Sequence, residues 1–167
     1  MAIRQRITEQ PPESDFEQTI IHINRCAKVH KGGRKFSFSA LVVVGDRKGQ
    51  VGYGHGKANE VPPAVEKAVK NAHKKMRLVS LSGDTLPHRV VGRFGTCKVL
   101  LVPAGKGTGI IASKTVRTVL ELAGVRNVLT KSFGSNSPVN LVKAVFRALE
   151  QLKTKEEVER LRGVTVG

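Results

Sequence analysis

Arg25, Lys28, Lys31, Arg34 and Lys35 crowd into eleven residues around Gly32 and Gly33, and from position 18 to 45 there is no Asp or Glu. Such one-signed charge around paired glycines suits a polyanion. Cations neutralise phosphates, and glycine lets backbone amides approach where a side chain would obstruct them. A cluster that only protected a sheet edge from aggregation could use charge of either sign, so binding is the better reading. Two further glycine loops invite a nucleotide-binding interpretation and fail it on spacing. Gly52, Gly54, Gly56 and Gly105, Gly107, Gly109 are both GxGxG. A phosphate loop would need glycine where Val51 and Leu100 stand, and Ala58 and Gly107 replace the hydroxyl residue that would hold magnesium. His22, His30, His55, His73 and His88 make no HxxxH or HExxH pair, and no carboxylate lies between Asp84 and Glu121. The chain offers no acid–base, metal or cofactor chemistry and reads as a non-enzyme.

Composition agrees with a polyanion partner. Twenty-nine Lys and Arg oppose 13 Asp and Glu, a net charge of +16 and a pI of about 10.5. With 40% hydrophobic residues, 167 residues can fold as one domain or two small ones. An anionic membrane is the weaker partner, because the longest apolar runs are strand-sized and the one basic amphipathic helix has only small residues on its apolar side. The N-terminus shows no apolar signal core, and Cys26 and Cys97 form neither a CxxC pair nor a disulfide framework, which fits a reducing compartment.

The elements that position these residues follow from periodicity. Residues 1–15 carry neither hydrophobic period and read as a mobile tail. Ile20 to Cys26 alternates as a strand and runs into a basic loop at about Asn24 to Lys35. Phe36, Phe38, Ala40, Val42 and Val44 alternate with Ser37, Ser39, Leu41 and Val43 as a second strand. Gly45-Asp46-Arg47-Lys48-Gly49 supplies turn chemistry for a hairpin. The third strand, from Gln50 to Gly56, sets Val51, Tyr53 and His55 against three glycines, so one of its faces is bare backbone. The helix expected to cover that face carries Val61, Val65, Ala68, Val69, Ala72 and Met76 at helical spacing, with Pro62 and Pro63 in its first turn and lysines toward its end. A composition shift at Leu78 to Asp84 suits a domain boundary. Beyond it, Val90-Val91, Lys98 to Val102 and Val125 to Phe133 read as strands. Residues 103–109 read as an irregular loop. Helices are expected after Ser113, after Ser137-Pro138 and after Thr154, the last with a capping-box spacing to Glu157.

Lys31-Gly32-Gly33-Arg34, Phe36-Ser37-Phe38, Gly45-Asp46 and the run VGYGHGKANEV from Val51 to Val61 closely resemble the signature of the bacterial and organellar small-subunit ribosomal protein S5 family. The likeness continues through Pro103-Ala104, GTGIIA at 107–112, VLELAGV at 119–125 and SPVNLV at 137–142, covering about Phe16 to Leu152. It implies an α+β fold in two parts. An N-terminal domain at 16–79, akin to double-stranded-RNA-binding modules, would pack a three-stranded antiparallel sheet on a helix. A small two-layer α/β domain of βαβ type would follow at 84–160.

The resemblance further implies a structural constituent of the small ribosomal subunit, supporting assembly, the mRNA entry channel and translational accuracy on a cytoplasmic or organellar ribosome. Ribosomal RNA would be met by Arg25, Lys28, Lys31, Gly32, Gly33, Arg34, Lys35 and Lys57. Cys26, Ala27 and Lys28 match positions tied in the family to spectinomycin response. Ribosomal protein S4 would be met at Gly107, Thr108, Gly109 and Arg117, with S8 as a further neighbour, mRNA at the entry channel, and no membrane, cofactor or small-molecule substrate. A free-standing double-stranded-RNA-binding regulator is the alternative, and it gives no role to the second domain.

Overall fold

The computed structural model describes residues 16–164, so the tail expected at 1–15 lies outside the described residues. Strand β1 (Glu17–His30) pairs antiparallel with β2 (Gly33–Gly45), which pairs with β3 (Gln50–Ala58), and a two-residue strand β4 (Arg77–Leu78) completes the sheet in the order β1-β2-β3-β4. Helix α1 (Val61–His73) lies across one face, starting with Pro62 and Pro63 in its first turn, where an absent amide hydrogen leaves no helical bond unmade. The Asp46 carboxylate ties the β2–β3 turn, its Oδ1 accepting from the amides of Lys48 at 2.7 Å and Gln50 at 2.9 Å.

The bare glycine face of β3 does meet α1. A Cβ on Gly52, Gly54 or Gly56 would overlap the carbonyl oxygens of Ala72, Ala68 and Ala64. The stripe against the glycines is therefore Ala64, Ala68 and Ala72, all fully buried, whereas Val65 and Val69 flank it and are only partly buried. Of the expected stripe Ala68 and Ala72 hold this place, while Ala64 replaces Val65 and Val69. A backbone brought this close leaves room for a methyl group and nothing larger.

The second sheet has the order β5-β6-β8-β7, from β5 (Val90–Phe94), β6 (Cys97–Pro103), β7 (Ile110–Ile111) and β8 (Val128–Phe133). Helix α2 (Lys114–Leu122) crosses over between the parallel strands β7 and β8, a βαβ unit, while β5, β6 and β8 are antiparallel. Strand β7 falls between the loop expected at 103–109 and the helix cap at Ser113, where two residues are too few to show a period. Helix α3 (Pro138–Leu149) packs on β5 and β6, and α4 (Lys155–Arg162) follows with the capping box expected at Thr154 and Glu157. Ser113 and Ser137 stand at N-cap positions but make no side-chain cap hydrogen bond.

The two sheets share one core. Ala40, Val42 and Val44 face α1, whereas Leu41, Val43 and Val51 on the opposite face join Val99, Leu120, Val142 and the rest of the second half. The hairpin tip is locked to the end of α2. The Arg47 amide donates to the Leu122 carbonyl at 3.0 Å, and a Cβ on Gly45 or Gly124 would overlap Leu122 O or Arg47 O. Arg47 holds φ +56°, the one described non-glycine residue in the left-handed region.

Candidate nucleic-acid interface

The basic segment is a ribbon, not the loop expected at Asn24 to Lys35. β1 and β2 stay paired out to His30 and Gly33, so only Lys31 and Gly32 form the turn, with Gly32 at φ +95°. Every residue from Ala27 to Phe36 is exposed, and a Cβ on Gly32 or Gly33 would meet nothing. The alternation of β1 past Cys26 is hidden in sequence because both faces of a projecting ribbon are wet and carry no hydrophobic period.

Register sorts the expected contacts onto two faces. Lys28 stands directly opposite Lys35, and Lys57 opposite Ser39, which places these lysines on the face shared with Leu41 and turned toward the second sheet. His22, Asn24 and His55 lie on that same face beside Ser137 and Val139, around a groove of about 220 Å³. Arg25 and Arg34 belong to the other face, where the Arg25 guanidinium carbon sits 3.8 Å from the Phe36 ring centre. Lys31, Gly32 and Gly33 close the tip. Cys26 points to the lysine face, its Sγ 3.8 Å from Ser39 Oγ. Lysines directly opposite one another repel and destabilise a strand pair unless an anion lies between them.

The second expected site is brought together around Gly107, Thr108, Gly109 and Arg117, but its organiser is a residue that no motif singles out. Asn127, 7% exposed, accepts from the amides of both Gly107 and Gly109 at 3.1 Å through Oδ1. Thr85 supports it, its Oγ1 donating to the Asn127 carbonyl at 2.7 Å and accepting from Ala104 N at 3.2 Å. The Asp84 carbonyl takes the amides of Arg126 and Asn127. Asp84 and Thr85, at the start of the part expected at 84–160, are thus bonded into the second half. With both glycine amides turned inward, the loop has lost the donors that a phosphate cradle would need. Arg117 donates one bond to the Ile110 carbonyl at 3.2 Å and is otherwise exposed with Thr108 and Lys106. The outer face of the second sheet mixes apolar and basic residues, with Ile111 54%, Leu129 40% and Phe133 46% exposed and Lys98 and Lys131 among them.

A cation-studded ribbon carried on a two-sheet α+β body defines a basic protein with a surface suited to a polyanion. Residues 16–80 match the model of the ribosomal protein S5 N-terminal domain, and residues 92–162 that of the ribosomal protein S5 C-terminal domain. The chain belongs to the ribosomal protein S5 family. It is 53% identical over 156 residues to small ribosomal subunit protein uS5 of Rhodopirellula baltica, covering 93% of this chain and 88% of that one. Identity to uS5 of Protochlamydia amoebophila is 52% over 152 residues, 91% of each chain. With uS5 of Aquifex aeolicus it is 51% over 163 residues, 98% of this chain and 78% of the relative.

Proposed function

We propose that the chain is a structural constituent of the small ribosomal subunit that grips ribosomal RNA with the β1–β2 ribbon and a neighbouring protein with the 104–117 segment. The observation that carries this is the ribbon. Fully exposed, free of acids and with Lys28 facing Lys35, it is a pair of strands in need of a polyanion. Family membership supports the ribosomal setting. The antiparallel β1-β2-β3 sheet with α1 across it supports kinship of residues 16–79 with double-stranded-RNA-binding modules, and the second sheet supports a division near 84. For Gly107, Thr108, Gly109 and Arg117, the capture of both amides by Asn127 favours a protein partner over phosphate. S4 is the partner proposed there, with S8 and entering mRNA nearby, on a cytoplasmic ribosome.

The test is a salt series with a small-subunit ribosomal RNA fragment. Changing Lys31, Arg34 and Lys35 to Ala should flatten the plot of log affinity against log salt by up to about 0.9 per lost phosphate contact on a duplex. An unchanged slope removes the ribbon from the RNA site. Failure of the protein to sediment with small subunits after a moderate salt wash would favour a free-standing regulator.

A further inference from the structure

A cleft of about 360 Å³ opens between the β3–β4 edge and the later turns of α3, lined by Tyr53, Arg77, Phe94, Lys143, Arg147 and Glu150. Tyr53 leans on Phe146, ring centres 4.6 Å apart and tilted by 58°, and Phe94 packs on the same core from β5. Both rings stay partly exposed. Cations stand over them. Lys143 Nζ is 4.7 Å and Arg147 Cζ 5.0 Å from the Phe94 centre, and Lys75 Nζ is 5.6 Å from that of Tyr53. Arg147 is held in place by donating to the Arg93 carbonyl at 3.3 Å. The one acid lining the cleft, Glu150, is taken up by an ion pair with Arg77, which leaves Lys75, Lys143 and Arg147 without an acidic partner among the described residues.

Rings flanked by cations serve both parts of a nucleotide, the ring meeting the base and the cation the phosphate. A duplex buries its base faces in its own stack, so only unpaired nucleotides can use the rings. An acidic peptide would satisfy the cations but has no planar group for Phe94 and Tyr53. We propose that this cleft is a second RNA site, which takes unpaired nucleotides and is separate from the ribbon. The inference rests on the reading of the chain as RNA-binding and adds where a single strand lies. Helix α3 joins the two regions. Its first residues stand beside His22 and His55 at the ribbon's base, and its later turns wall the cleft, about 12 Å further on at 1.5 Å per residue.

The experiment measures binding of the full chain to three labelled probes: a ten-nucleotide oligouridine, an abasic strand of the same length and an RNA hairpin duplex. Phe94→Leu keeps bulk in the core and removes the ring. It should weaken oligouridine binding about five-fold or more, while leaving the abasic strand and the duplex unchanged. Changing Lys143 and Arg147 to Gln should weaken both single strands together. The proposal is overturned if the parent holds the abasic strand as tightly as oligouridine, or if Phe94→Leu leaves oligouridine affinity intact. It is also overturned if deca-glutamate competes as well as the RNA strand, since the cleft then suits an acidic protein segment. A parent that binds the duplex but not oligouridine defeats the cleft alone, whereas a parent that binds neither defeats the RNA reading with it.

Discussion

A Cβ on Gly54 has no room, because the Ala68 carbonyl already occupies its position. Gly54→Ala should therefore cost about 1–3 kcal/mol through overpacking. Gly105→Ala, where a Cβ meets open space, should stay within about 0.5 kcal/mol. Urea denaturation of the two variants checks the pair, and equal midpoints would mean that β3 does not lie against α1. The glycine row was legible in sequence and so were Ala68 and Ala72 of its partner, but Ala64 was passed over for Val65 and Val69, since valine at helical spacing is a stronger hydrophobic signal than alanine. Size complementarity decides the contact instead: the closer two backbones approach, the smaller the residue between them. Asn127 was illegible for another reason. Its role depends on Gly107 and Gly109 folding back over it some twenty residues away in the chain, and no local pattern records that.

Among the elements, the ribbon makes a prediction in which stability and affinity move oppositely. Lys28→Glu converts a repulsive cross-strand pair with Lys35 into an attractive one and should stabilise the free protein by about 0.2–1 kcal/mol. The same change should weaken RNA binding and lower its salt dependence. Thermal melts and a salt titration on the one variant test both signs, and a loss of stability would mean that Lys28 and Lys35 do not face each other. The strands and helices were mostly legible where one face is buried, as in Phe36 to Val44 and Leu141 to Leu152. β4 and β7 were missed because two residues cannot show alternation, and the outer part of β1 because neither of its faces is apolar.

At the scale of the whole molecule, Leu41, Val43 and Val51 belong to the core of the second half as much as to the first sheet. The sequence showed two sets of elements and a composition break near Asp84. It could not show that both faces of β2 are covered, because a strand buried on both faces reads as a continuous apolar run, Ala40 to Val44. Leu41→Ala should cost about 2–5 kcal/mol. It should lower hydrogen-exchange protection in α3 as well as in β2, where a loss confined to the first sheet would reveal two independent units. The shared core also has a consequence for how the chain is made. About 95 residues separate Val51 from Phe146, so a ribosome adding 5–20 residues per second releases the first sheet about 5–20 s before α3, the last helix of the shared core. During that interval the strip of Leu41, Val43 and Val51 is at first bare and then only partly covered by the earlier elements of the second half, and this apolar strip is where a chaperone would find its grip.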